Sequence, residues 1–228
     1  MESHDDRVPV TLLTGFLGAG KTTLLNHLIR DPEAGRIAVI MNELGDVGLD
    51  HDLIEEATEE TILMQSGCLC CSIRDDLTKT MASLMARRKR GELAFDRIVI
   101  ETTGIADPGP IHHTLLVDDL IAPHYRMDGI VTLADAANGP RTLDAQFEAV
   151  HQVAMADLLV ITKADLVTPS ELDRFKARLE GINGTARHVR ADHGGIDSGR
   201  LFNLTAMRES VTSDELSDWL GAWSEAAR

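Results

Sequence analysis

Basic charge is scarce in this 228-residue chain: 22 lysines and arginines stand against 37 aspartates and glutamates, a formal net charge of -15. So acidic a chain does not suit a polyanion, which excludes nucleic acid and anionic membrane surfaces as main partners and favours cations and other proteins. Long apolar runs are missing too. No stretch reaches the roughly eighteen apolar residues of a membrane-spanning helix. The N-terminal MESHDDR is polar and acidic, unlike a secretory leader, so the expected location is the cytoplasm. Cysteine is confined to three residues between Cys68 and Cys71, too close together and odd in number for a disulfide framework. Linkers, repeats and low-complexity tracts are absent. The length suits one core, with at most a small appendage.

What is present begins with Val8 to Thr23, VPVTLLTGFLGAGKTT. A short apolar strand pattern leads into Gly15-Phe16-Leu17-Gly18-Ala19-Gly20-Lys21-Thr22, which fits the G-x-x-x-x-G-K-[ST] phosphate-binding pattern, and an amphipathic helix pattern follows to Ile29. A polyphosphate needs many N–H donors converging on a small volume, and a loop curls that tightly only where glycine relaxes the backbone. Lys21 places a positive charge on the β- and γ-phosphates, Thr22 offers a hydroxyl to Mg²⁺, and the helix N-terminus adds its partial charge. The bland alternative is an ordinary glycine-rich turn. It does not account for a flanking strand and helix together.

Continuous apolar runs at Arg36 to Met41, Thr61 to Met64, Phe95 to Ile100, Arg126 to Ala134 and Leu158 to Ile161 read as strands of a parallel sheet covered on both faces. Helical spacing lies between them, at Ser72 to Arg90, Ala106 to Leu116, Leu143 to Met155 and Ser170 to Leu179. Thr185 to Val189 is a short candidate strand whose following loop covers a bound base, and Ser213 to Trp223 is a last helical pattern. The pattern predicts an α/β, three-layer P-loop NTPase domain with a mostly parallel central sheet. Its expected limits are a tail over 1–7, the domain over 8–205 and a C-terminal helical extension over 206–228. The basic run Arg87 to Arg90 reads as a helix C-terminus complementing its dipole, and His112 and His113 as surface histidines.

Chemistry concentrates where strands end. Glu43 and Asp46 follow one strand and are candidates for Mg²⁺ or a second metal, or solvated loop acids. Glu101-Thr102-Thr103-Gly104 follows another, where a nucleotide hydrolase places the acid facing Mg²⁺ and the loop that senses the γ-phosphate. Thr162-Lys163-Ala164-Asp165 follows a third. A carboxylate accepts from guanine N1–H and the exocyclic amine, a donor pair that adenine lacks on that edge, so Asp165 reads as the guanine selector with Lys163 along the base.

Gly67-Cys68-Leu69-Cys70-Cys71 is the other informative stretch. Thiolates are soft ligands suited to zinc and other late transition metals, and a loop can aim several inward. Three sulfurs leave a fourth tetrahedral position for water, for a nearby acid such as Glu43, or for a group on a receiving protein. The other readings are a buried set of small hydrophobes and a redox-sensing cluster.

Taken in order, GFLGAGKTT, MNELGD, SGCLCCSIRDDL, ETTGIADP, VTLADA and VHQVAMADLLVITKADLV resemble the CobW-type P-loop GTPases, a metal-handling family with Glu in place of Asp at the strand tip. The resemblance runs from Val8 to about Leu201. It implies a GTP- and Mg²⁺-dependent metallochaperone, tied to zinc and in some members to cobalt (Zn²⁺ or Co²⁺). Carried over, Cys68, Cys70 and Cys71 are the transition-metal ligands, Lys21, Thr22 and Glu101 form the catalytic set, and Thr22 holds Mg²⁺. The nucleotide is expected to contact Gly15, Gly18, Ala19, Gly20, Lys21, Thr22, Thr23, Thr162, Lys163 and Asp165. The expected partners are guanine nucleotide, a transition metal and a client metalloprotein, with room for a homodimer. The chain departs from the family pattern at Thr162, where Asn is common, and at Asp46, where Glu is common. That pattern also continues through a histidine-rich linker into a further domain. The rival readings are a small-molecule kinase and a passive metal-binding or thiol redox sensor that holds nucleotide.

Overall fold

The computed structural model describes residues 5–42, 62–66 and 73–205. The strands are β1 (Val8–Gly15), β2 (Ile37–Asn42), β3 (Ile62–Ser66), β4 (Arg97–Thr102), β5 (Tyr125–Asp135), β6 (Leu158–Thr162) and β7 (Arg187–Arg190). The helices are α1 (Lys21–Arg30), α2 (Ile73–Lys89), α3 (Gly109–Val117), α4 (Gly139–Ala145), α5 (Phe147–Ala154) and α6 (Pro169–Ile182). The strands form one seven-stranded sheet in the order β3-β2-β4-β1-β5-β6-β7, and every pair is parallel.

The unbroken apolar runs follow from burial on both faces. Val10 and Leu12 of β1 pack with Ile98 and Ile100 of β4 against Leu77, Met81 and Leu84 of α2. Leu13, Val39 and Val99 face the opposite way, onto Leu24, Leu25 and Leu28 of α1. A third cluster joins Leu159 and Ile161 of β6 to Val153 of α5 and to Phe175 and Leu179 of α6. The result is helix, sheet, helix. Each fully buried Leu, Ile or Val contributes about 1.5–3 kcal/mol relative to exposure, so the strands nearest β1 are the most firmly held part of the sheet.

Two expectations are corrected in detail. The helix predicted from Leu143 to Met155 is two helices, because Gln146 is extended (φ -129°, ψ 113°) and re-aims the chain. Leu143 stays buried while Phe147, expected on the same apolar face, is 77% exposed. The helix expected from Ser170 starts at Pro169 instead, capped by Thr168 and Glu171 in a reciprocal capping box. The basic run behaves as expected. Arg88 lies over the Phe95 ring and donates to the Phe95 carbonyl at 3.1 Å, and Arg87 and Arg90 pair with Glu92.

Candidate functional site

The phosphate-loop sequence turns at the carboxyl end of β1, between the ends of β4 and β5. Gly15 has φ 139°, and a Cβ there would stand 2.7 Å from the Leu133 carbonyl oxygen, so only glycine lets the loop leave the sheet so close to β5. Around a Cβ built on Gly18 (φ 74°) there is open space, so that glycine serves backbone angle rather than fit. Gly20 (φ 99°) precedes α1, whose N-terminus carries no side-chain cap. A helix start of this kind, with no side chain at the cap, is a common seat for an anion. Lys21 Nζ donates to the Gly15 carbonyl at 2.8 Å, which folds the ammonium across the loop. Thr22 is half-buried in the first turn of α1, and Thr23 is exposed beside it.

The carboxyl end of β6 is tied to this loop by side chains. Thr162 is 8% exposed and donates from Oγ1 to the Ala19 carbonyl at 2.8 Å. Lys163, in the left-handed region at φ 54°, donates from Nζ to the Gly18 carbonyl at 2.7 Å and to Asp135 Oδ2 at 2.8 Å. Asp135 in turn accepts from the backbone N–H groups of Ala137 and Asn138 and from the Asn138 amide. Burial would raise the Asp135 carboxyl, but the hydrogen bonds from Lys163 and Asn138 outweigh it and hold it below the usual carboxylate range. Asp165 is exposed in the single 3₁₀ turn Ala164–Leu166 next to this network. The turn after β7 leans on α1: a Cβ on Gly194 (φ 81°) would meet the Thr23 carbonyl oxygen at 3.0 Å, and His27 Nε2 lies 3.2 Å from the Ile196 carbonyl oxygen.

On the other side, Glu101 is 8% exposed and pairs in register with Leu13 of β1, one turn of pleat below the loop. Thr102 donates from its hydroxyl to the Thr14 hydroxyl at 2.9 Å. Thr103 Oγ1 is buried with no hydrogen-bond partner among the described residues. Gly104 presses on the phosphate loop so closely that a Cβ would stand 2.6 Å from the Leu17 nitrogen.

Gly15, Gly18, Ala19, Gly20, Lys21, Thr22, Thr23, Glu101, Thr162, Lys163 and Asp165 thus converge at one end of the sheet. Sequence reasoning missed two members. Asp135 follows the apolar run Arg126 to Ala134 with no motif of its own, and its partner is fixed by β5 lying beside β6. Gln152 looked like a polar residue on an amphipathic helix and is 1% exposed. Glu43, Asp46, Cys68, Cys70 and Cys71 lie outside the described residues, as does the helical pattern from Ser213 to Trp223. Among the described residues no group of three or more His, Cys, Asp or Glu could hold a metal ion, and no helix is long and apolar enough to cross a membrane.

The family described as CobW/HypB/UreG, nucleotide-binding domain, matches residues 9–190. Zinc chaperone YjiA of Escherichia coli (strain K12) is 39% identical over 208 residues, which is 90% of this chain and 65% of that protein. Zinc-regulated GTPase metalloprotein activator 1 of Schizosaccharomyces pombe is 38% identical over 222 residues, 92% of this chain and 53% of that protein. The crystal structure of the Zn(II)-bound YjiA GTPase from E. coli superposes with a TM-score of 0.70 at 35% identity, covering 87% of this chain and 62% of the other. The chain therefore spans between 53% and 65% of the length of these relatives.

Proposed function

From its membership of the CobW/HypB/UreG nucleotide-binding family, to which this chain belongs, we propose that it is a GTP-hydrolysing metallochaperone. In this reading Cys68, Cys70 and Cys71 bind a transition metal, zinc first, and GTP binding and hydrolysis drive its transfer to a client protein. Residues 8–205 are the working unit, with 206–228 as an extension.

The observation that carries the nucleotide half is the pair of hydrogen bonds from Thr162 and Lys163 to the Ala19 and Gly18 carbonyls. They make the phosphate end and the base end one object, so a ligand that fills both must be a nucleotide. The donor set suits a triphosphate: an uncapped helix N-terminus, a lysine at the loop and hard oxygen donors on either side. Thr22 and Glu101 are the residues that would hold Mg²⁺, which when bound neutralises charge on the β- and γ-phosphates. Lys21 and the loop N–H groups stabilise charge on the transferring phosphoryl group, with water in line as the nucleophile. In this reading the Thr103–Gly104 turn, packed on Leu17 of the phosphate loop, is the part that would meet the γ-phosphate, and Asp165 selects guanine by its two acceptor oxygens.

The metal half is supported by the Gly-Cys-x-Cys-Cys sequence and by the kinship with a zinc chaperone and a zinc-regulated GTPase metalloprotein activator. Competitive zinc titration with GTP and Mg²⁺, with GDP, and without nucleotide tests both halves. Zinc affinity should differ between the GTP and GDP states and collapse when all three cysteines are changed to serine. Equal affinity in the two states would sink the coupling, and an unchanged serine variant would sink the ligand assignment. Asp165→Ala should erase the preference for GTP over ATP, and its survival would remove the guanine assignment.

A further inference from the structure

The Thr103–Pro108 segment makes few hydrogen bonds of its own. Apart from the Ala106 N–H bond to the Thr103 carbonyl and the Asp107 turn into α3, its hydrogen bonds among the described residues run to α5. Gln152 Nε2 donates to the Gly104 carbonyl at 3.2 Å and to the Ala106 carbonyl at 3.1 Å. Its neighbour on the same helix, His151, places Nδ1 3.3 Å from Asp107 Oδ1. Gln152 is itself fixed, because its backbone carbonyl lies in the last turn of α5 and accepts from the Thr132 hydroxyl of β5 at 3.0 Å. One buried amide therefore connects β5 to the loop that follows the strand-tip acid.

The opposite side of that loop has no slack. The contact between Gly104 and the Leu17 nitrogen leaves no room for a Cβ, so the loop lies between the phosphate loop in front and Gln152 behind. Two hydrogens of one planar amide, given to carbonyls two residues apart, set both the distance and the twist of the segment. A methionine would fill the same volume and supply neither hydrogen. The base-side ties through Thr162 and Lys163 do not pass through Gln152.

We infer that Gln152 is a positioning residue for GTP hydrolysis: its side-chain amide holds the Thr103–Ala106 loop against the phosphate loop, and so sets where that loop meets the γ-phosphate. This rests on the GTPase reading above. Losing the amide should leave the base and the β-phosphate contacts in place, so GDP binding is unchanged while hydrolysis slows.

The test compares the parent chain with Gln152→Met and Gln152→Glu, reading kcat and KM for GTP, GDP affinity and thermal unfolding. The expected result is a fall in kcat on the order of tenfold to a hundredfold, with GDP affinity as in the parent. A purely structural role would instead lower the melting temperature and weaken GTP and GDP alike. Should neither variant fold, Gln152→Asn, which keeps the donor but is one methylene short, is read in the same way. A parent that releases phosphate from GTP, matched in kcat by a folded Gln152→Met, overturns this inference alone. A parent that releases none overturns the functional reading and this inference with it.

Discussion

The phosphate loop has two walls, and they are joined to it in different ways. On the base side, Thr162 and Lys163 reach across and donate directly to carbonyl oxygens of the loop itself, and Asp135 locks the lysine in place. On the strand-tip side the Thr103–Ala106 loop meets it only by the packing of Gly104 on Leu17, and its hydrogen bonds run away from the phosphates to Gln152. The first wall is wired to the loop by hydrogen bonds. The second meets the loop by close packing and, among the described residues, by no hydrogen bond. Under the proposed function, recognition of the base would thereby be separate from sensing of the γ-phosphate, as a two-state device requires.

The most damaging change should be to the loop that both walls share. Lys21→Ala is expected to lower kcat for GTP hydrolysis by about 10²–10³-fold, the cost of removing a group aimed at developing charge, as read by phosphate release. Lys163→Met comes next. It cuts the base-side wiring at two points and should weaken GTP and GDP equally, by about 1.5–3 kcal/mol, in titration calorimetry. Weakening of GTP alone would erase the distinction between the walls. Thr162→Val removes one buried hydrogen bond and should lower the unfolding free energy by about 1 kcal/mol in urea, with guanine preference kept.

The smallest effect is one of pH. The folded-state Asp135 carboxyl is held below its ordinary value of 3.8, so its contribution to stability is fully present above that value and is lost as pH falls through the lower folded value. Thermal unfolding of the parent and of Asp135→Asn should differ at neutral pH and converge in strong acid. A gap that persists there would mean the ion pair with Lys163 is not what Asp135 contributes.

Much of this arrangement was legible in the chain. Residues of the phosphate loop announce themselves because only glycines can make the angles at Gly15 and Gly20, and doubly buried strands leave unbroken apolar runs. The break at Gln146 was not legible, since Leu143, Phe147, Val150 and Val153 keep helical spacing across a residue that is extended. Nor was the role of Thr162 in place of asparagine, because a threonine at a strand end looks like β-propensity until the Ala19 carbonyl is seen 2.8 Å away. Gln152 escaped for the same reason: sequence shows that a residue is polar, not that two carbonyls are waiting for it. The three cysteines carry the strongest compositional signal for metal and lie outside the described residues, so their assignment still rests on residue chemistry and kinship.

The strand order has a bearing on synthesis. β1, the first strand in sequence order among the described residues, is the middle of the finished sheet, and its two neighbours are β4 and β5, which end at Thr102 and Asp135. Everything on one flank comes from residues 37–102 and everything on the other from residues 125–190. β1 therefore waits, unflanked and apolar, until the residues of β4 and β5 have been made. Such long-range pairing is slow and leaves apolar strand edges exposed until their neighbours arrive.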